Sequence, residues 1–225
     1  MSGIWYLSPS NQASNVGIGN YGTEKEQMNL LLDEIIPHLD RAGVSFHRAD
    51  ADMSLTDRVT ESNNMGSVFH LALHSNAGGK GTARGAVAYH YSEKGKTFGE
   101  KLVDALSELG QESNRSTSVK QNRTLYELRK TKAPACLLEV DFHDSESGVE
   151  FLINRRSHIA EAIARVIIES DGKTFVPVTC GEYVDRAIRL GLVPSDTRWN
   201  DPLTWEEAAI VLAKLIDVIK KEVKL

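Results

Sequence analysis

The chain has 225 residues, 41% of them apolar and 25% charged, which is the size and composition of one globular domain or of one domain with a small appendage. Its formal net charge of −5 argues against a general nucleic-acid-binding protein, which needs a basic surface. No apolar run approaches the roughly 20 residues of a membrane span, so we expect no insertion into a membrane.

The predicted elements alternate between strands and helices over the first 170 residues. In chain order they are a strand at residues 4–7, a helix that begins at 24, a strand at 44–48, a helix at 55–65, strands at 68–73 and 85–91, a helix at 97–109, a strand at 135–138 and a helix at 151–170. Pro37 lies inside the first helical pattern, where we expect a kink or a break. The alternation predicts a three-layer α/β domain with a central, mostly parallel sheet flanked by helices.

A turn sequence at residues 171–173 suggests a domain boundary, which divides the chain into 1–172 and 173–225. Helical spacing recurs at 183–190 and 205–223, so the second part is predicted to be a small all-helical C-terminal domain. About 50 residues make a thin core alone, and we expect this part to pack on the main domain or on a partner.

The N-terminus and the cysteines suggest a reducing compartment. Residues 1–6 contain no basic segment that precedes a long apolar stretch, so the sequence predicts no signal peptide and a cytoplasmic location. Two cysteines, Cys136 and Cys180, do not make a disulfide framework, and we expect both to be free thiols.

A histidine and a glutamate each close a buried strand. His74 follows the strand at 68–73, and Glu139 follows the strand at 135–138. In open α/β sheets, ligands bind outside the carboxyl ends of the strands, so these two side chains suggest a metal ligand and a general base. Glu24, at the start of the first helix, and the polar residues 8–12, after the first strand, are expected at the same edge. A catalytic zinc commonly takes three protein ligands from such a set.

Four motifs, in this order, resemble those of a known enzyme family over about residues 4–170. They are Leu7-Ser8-Pro9-Ser10-Asn11, Thr23-Glu24-Lys25, Leu73-His74-Ser75-Asn76-Ala77 and Pro134-Ala135-Cys136-Leu137-Leu138-Glu139-Val140-Asp141-Phe142. The family is that of the zinc-dependent N-acetylmuramoyl-L-alanine amidases called amidase 3, found in cell-wall autolysins and phage endolysins. The resemblance implies cleavage of the amide between N-acetylmuramic acid and the L-alanine of the peptidoglycan stem peptide.

The resemblance also assigns roles. It implies His74 and Glu24 as zinc ligands, Glu139 as the catalytic residue, and Asn76 and Arg123 as substrate-binding residues. The family's first ligand histidine has no counterpart here. Its position falls on Asn11, with Gln12 adjacent, and either residue could complete the site through its amide oxygen. An amide oxygen is neutral and a weaker donor than imidazole, so we expect weaker metal binding.

Two of these residues keep alternatives. Glu24 could be an ordinary acid in the first turn of a helix, with Glu26 as the true ligand. His143, four residues after Glu139, could bond a developing oxyanion as a catalytic residue, or it could be an exposed turn residue.

The resemblance implies peptidoglycan as the partner, and it fits an endolysin that stays in the cytoplasm until lysis or an amidase of sporulation. The C-terminal part would then bind the wall or form a homodimer. Two other functions stay open. The missing histidine allows a non-catalytic peptidoglycan-binding protein, and the same water activation would serve a zinc peptidase acting within the stem peptide.

Overall fold

The computed structural model describes residues 3–78 and 81–177. Contacts within the chain divide it into two units, Met1–Phe175 and Val176–Leu225. The predicted C-terminal helices lie outside the described residues, so the small helical domain stays a prediction. The described elements are β1 (Trp5–Pro9), α1 (Glu24–Arg41), β2 (Phe46–Arg48), α2 (Leu55–Met65), β3 (Phe69–Asn76), β4 (Val87–His90), α3 (Glu93–Ser107), β5 (Val119–Gln121), α4 (Tyr126–Lys130), β6 (Ala135–Phe142), α5 (Glu146–Asn154) and α6 (Arg156–Ser170).

The strands form one sheet in the order β2-β1-β3-β6-β4-β5. Strand β1 pairs in parallel with β2 and β3, and β3 pairs in parallel with β6. Strand β4 is antiparallel to β6, and β5 is parallel to β4. The predicted three-layer, mostly parallel α/β arrangement is confirmed. Because β1, β3 and β6 share one direction, their carboxyl ends meet at one edge of the sheet, which positions the site.

The two faces of the sheet differ in character. One face packs against α1, α3 and α6, and it forms the main apolar core with Leu7, Leu71 and Leu138 fully buried. On the other face a small apolar cluster that includes Ala72 and Leu137 adjoins a group of buried polar side chains. Among these, His70 contacts both α2 and α4: its Nδ1 lies 3.1 Å from the Ser62 hydroxyl and its Nε2 2.9 Å from the Glu127 carboxylate.

Several boundaries differ from the predictions. The break expected at Pro37 does not occur, because α1 continues to Arg41 with Leu39 still buried beyond the proline. The helix predicted at 151–170 is two helices, which change over at Arg155. Short elements β5 and α4 were not predicted, since three to five residues carry little periodicity. None of the helices among the described residues is long and apolar enough to cross a membrane.

Candidate active site

Two side chains of the site come from neighbouring strands. His74 on β3 pairs in register with Glu139 on β6, and the parallel register shifts immediately after this pair. Both residues lie two positions beyond a partner in the small apolar cluster, Ala72 and Leu137 respectively. Alternation along a strand therefore turns both side chains to the same face, two and three residues before β3 and β6 end.

Glu24 joins them from the first turn of α1. Its side chain is buried, and its Oε1 lies 2.7 Å from Nδ1 of His74. Burial alone would favour the neutral acid, but the hydrogen bond and charge of His74 outweigh it and lower the pKa of Glu24. Glu26 instead completes a capping box, accepting from the backbone N–H of Thr23. The two acids of the first helical turn thus have different partners: Glu26 caps the helix, and Glu24 is directed into the site.

Gln12 is the amide residue that reaches this group. Its Nε2 lies 3.3 Å from Nδ1 of His74, and its Oε1 accepts a hydrogen bond of 2.8 Å from Nδ2 of Asn15. Asn15 also donates to Oε2 of Glu24 at 2.7 Å. The side chain of Asn11 is engaged elsewhere, because its Nδ2 donates to the carbonyl of Met53. Of the two candidates left open by the sequence, the structure brings only Gln12 to the site.

The contacts around His74 leave one donor without an acceptor. Nδ1 faces a carboxylate, which only accepts, and an amide nitrogen, which only donates. A protonated Nδ1 satisfies Glu24 but then cannot accept from Gln12. Burial opposes the charged form of His74, yet Glu24 and Glu139 raise its pKa, so in this form a proton on the imidazole balances the surrounding carboxylates. A bound cation would balance the negative charge of these carboxylates in place of that proton.

The residues present fit a metal ion with one change. Within residues 3–78 and 81–177, no group of three or more His, Cys, Asp or Glu side chains could hold a metal. His74 and Glu24 supply two ligands of the types that zinc prefers. The third donor would be Oε1 of Gln12, and that amide must turn from Asn15 towards His74 to present its oxygen.

Glu139 carries an uncommitted carboxylate oxygen. Its Oε2 is buried and has no hydrogen-bond partner among the described residues. Burial raises the pKa of Glu139 to about 7, although the nearby charge of His74 works in the opposite direction. A buried carboxylate with a free oxygen and a pKa near neutrality can both accept and return a proton, which is what a general base and acid requires.

His143 has a different position from either alternative that the sequence left open. It is 2% exposed, so it is not an exposed turn residue. Its Nδ1 lies 2.8 Å from the hydroxyl of Ser75, and its ring stacks on Tyr21, whose hydroxyl lies 2.5 Å from the same Ser75 oxygen. The ring is buried in this network, and a catalytic contact of His143 with the substrate stays a prediction.

The two predicted substrate-binding residues lie at opposite ends of the sheet. Asn76 ends β3 beside Phe142, at the same edge as His74. Arg123 follows β5, whose last residue is level with the beginning of β6, and its guanidinium lies 6.0 Å from the ring of Tyr91. The structure therefore does not bring Arg123 together with the other groups, and its contact with substrate stays a prediction.

Sequence reasoning missed Asn15 and Ser75. Asn15 orients Gln12 and Glu24, and Ser75 joins His143 to Tyr21. Asn15 lies in a loop rich in Asn, Gly and Ser, which carries no periodic signal. Ser75 was within a quoted motif, but only the tertiary contacts reveal its role.

Comparisons with known proteins identify the family and the fold. The profile of a family described as N-acetylmuramoyl-L-alanine amidase matches residues 11–169. The chain is 29% identical over 167 residues to the sporulation-specific N-acetylmuramoyl-L-alanine amidase of Bacillus subtilis, a match that covers 71% of this chain and 63% of that protein. The chain thus spans less than two thirds of the length of this curated relative.

Two solved structures share the fold. The catalytic domain of CwlV, an N-acetylmuramoyl-L-alanine amidase from Bacillus (Paenibacillus) polymyxa var. colistinus, superposes with a TM-score of 0.65 at 19% identity, covering 75% of this chain and 97% of that one. The amidase AmiC2 of Nostoc punctiforme gives 0.63 at 20% identity, covering 76% and 97%. The family profile matches well over half of the residues of this chain, which therefore belongs to the N-acetylmuramoyl-L-alanine amidase family.

Proposed function

We propose that this protein is a peptidoglycan hydrolase that cleaves the amide between N-acetylmuramic acid and L-alanine. The observation that carries the proposal is the unpartnered, buried Oε2 of Glu139 next to the group formed by Glu24, His74 and Gln12. Membership of the amidase family indicates which bond is cleaved, and these side chains are of the types that can hydrolyse an amide.

Zinc is the cofactor that these donors suit. His74 and Glu24 would hold it through Nδ1 and Oε1, and Gln12 would complete the site through its amide oxygen. The chemistry that zinc supplies in such a site is a lowered pKa for water and polarisation of a carbonyl.

The protein's own residues then handle the proton. Oε2 of Glu139 accepts a proton from the attacking water as the new carbon–oxygen bond forms at the lactyl carbonyl. The carbon–nitrogen bond breaks, and Glu139 returns that proton to the leaving amine of L-alanine. Asn15 holds Glu24 in place throughout, and Asn76, at the same edge, is positioned to contact the substrate.

Incubation with purified peptidoglycan, with and without a strong chelator, tests the reaction. We expect release of new L-alanine amino termini without new reducing sugars, loss of this release with the chelator and its return with added zinc. New amino termini of another residue would support the zinc peptidase instead. Binding without any cleavage, even with added zinc, would support the non-catalytic peptidoglycan-binding protein that the absence of the first histidine allows.

Origin and location are part of the same proposal. An enzyme kept in the cytoplasm until lysis would meet its substrate only on release, as an endolysin or a sporulation autolysin does. The C-terminal segment 173–225 is then proposed to bind the wall or to form a homodimer.

Replacement of Gln12 by histidine tests the third ligand. We expect Gln12→His to tighten zinc binding by about tenfold or more, because imidazole is a better zinc donor than an amide oxygen. Gln12→Ala should weaken it. The affinity is measured by competition with a chelating dye on untagged protein.

Asn11→His is the matched control, since the side chain of Asn11 is directed to the carbonyl of Met53. It should not tighten zinc binding. If Asn11→His tightened binding and Gln12→His did not, the ligand assignment would be wrong by one residue.

A further inference from the structure

A cationic cleft opens at the same edge of the sheet as the candidate active site. The guanidinium carbon of Arg115 lies 5.4 Å from the centroid of the Phe142 ring. Phe142 pairs with Asn76 where β6 and β3 end, three residues beyond Glu139 and two beyond His74. Arg115 is therefore placed at the carboxyl end of these strands, where Arg123 is not.

The cleft has a volume of about 390 Å³ and is lined mainly by polar groups, among them Gly78, Asn114, Arg115, Ser116 and Lys120. Two cations line it, and none of the described residues that line it is acidic. The nearby Asp144 carboxylate accepts a hydrogen bond from the backbone N–H of Gly78. The lining thus favours an anionic ligand.

The walls of the cleft are held by hydrogen bonds. Nδ2 of Asn114 donates to the carbonyl of Thr82 at 2.7 Å, and its Oδ1 accepts from the backbone N–H of Arg84. These contacts tie the loop that carries Arg115 to the segment before β4. A prepositioned cation loses less conformational freedom when it binds an anion.

The cleft adjoins the candidate base. Lys120 pairs in register with Tyr89 on β4, and Tyr89 pairs with Leu137 on β6, two residues before Glu139. Burial and the charge of Glu139 raise the pKa of Tyr89, whereas the charge of Arg115 opposes that rise. Because β4 lies between β5 and β6, Tyr89 separates Lys120 from the strand that carries Glu139. A substrate that contacts both Lys120 and Glu139 would pass over Tyr89.

The peptidoglycan stem offers a matching group. The residue that follows L-alanine in the stem is a glutamyl residue with a free carboxylate or its amide. We propose that Arg115 and Lys120 bind the carboxylate of this second stem residue and so make the enzyme prefer acidic over amidated stem peptides. Arginine suits this role because its planar guanidinium can hold a carboxylate through two hydrogen bonds. This inference rests on the proposed amidase function.

The test compares two soluble substrates, N-acetylmuramoyl-L-alanyl-γ-D-glutamyl-L-lysine and the same compound with its free glutamyl carboxylate amidated, so that the other glutamyl carboxyl is blocked by an amide in both. We expect the wild type to cleave the acidic form with a kcat/KM about three- to tenfold higher, since a contact in an open cleft is partly screened by water. Arg115→Gln should remove most of this preference by lowering kcat/KM for the acidic form, and Lys120→Gln should act in the same direction. The preference should shrink as ionic strength rises.

Arg129→Gln, at an exposed arginine in α4, is the control and should keep the preference. Equal kcat/KM values for the two substrates in the wild type would overturn the inference while leaving the proposed function intact. If the wild type cleaved neither these substrates nor purified peptidoglycan, the proposed function would fail. Dissociation constants for the two peptides would then decide the inference, and equal values would overturn it.

Discussion

Glu139→Gln is expected to lower kcat on peptidoglycan by about 10²- to 10⁴-fold, the range that a positioned general base contributes. Glutamine keeps the size and shape of the side chain but cannot accept a proton at neutral pH. The fold should be unaffected, because Oε2 of Glu139 makes no hydrogen bond within the described part of the chain. The measurement is release of L-alanine amino termini, alongside binding to insoluble peptidoglycan, which should persist.

Glu150→Gln, on the exposed side of α5, is the matched control and should retain full activity. Catalysis that survived in Glu139→Gln would remove Glu139 from the proposed mechanism. Loss of wall binding in the same variant would show that the residue has a structural or binding role instead.

The pH profile of the wild type gives a second readout of Glu139. Burial raises the pKa of this carboxyl to about 7, and only the ionised form can accept a proton. Activity should therefore fall as the pH drops through the pKa. A bound cation nearby favours the carboxylate, so in the loaded enzyme we expect this acidic limb at or below pH 7. The limb should be absent from the residual activity of Glu139→Gln.

Arg58→Met is expected to lower the free energy of unfolding by about 3–5 kcal/mol, because it removes the donor of several hydrogen bonds at once and each buried acceptor left unpaired costs about 1–3 kcal/mol. The side chain of Arg58 is 2% exposed. Its guanidinium donates to the carbonyls of Pro9, Asp50, Ala51 and Met53 and to the hydroxyl of Ser8.

The loss would also remove a positive charge from the neighbourhood of a buried carboxylate. Glu127, which is 3% exposed, accepts from the same Ser8 hydroxyl at 2.5 Å. Burial would favour its neutral form, but His70 and the other partners lower the pKa of Glu127, so its charge depends on polar partners such as these. Methionine removes both the charge and the five hydrogen bonds of Arg58.

Urea unfolding of the metal-free protein measures the effect. Arg48→Met is the control, since Arg48 forms a partly exposed pair with Asp33 and should cost no more than about 1 kcal/mol. A loss below 1 kcal/mol in Arg58→Met would show that the buried cluster contributes little. The side chain of Asn11 also bonds to Met53, so we expect the variant to loosen the turn that presents Gln12.

Local patterns in the sequence were sufficient to determine the elements that position the site. The apolar runs before His74 and Glu139 predict β3 and β6, and both residues lie near the carboxyl ends of these neighbouring parallel strands, which continue to Asn76 and Phe142. A run of this kind is buried on both faces, and parallel strands that share a direction must end together. The family also followed from the sequence, because its motifs are contiguous and occur in a fixed order.

The tertiary structure alone decided which side chains enter the site. Adjacent residues such as Asn11 and Gln12 have the same chemistry, and a hydrogen bond to the distant Met53 turns one of them away. Contacts with Ser75 and Tyr21 likewise bury His143.

The positions of two arginines were also decided only by the tertiary structure. Arg115 meets Phe142 at the active edge, whereas Arg123 follows a short strand that ends at the opposite side. Sequence periodicity reports which face of an element is apolar, but the direction of a loop side chain depends on partners that are far away in the chain.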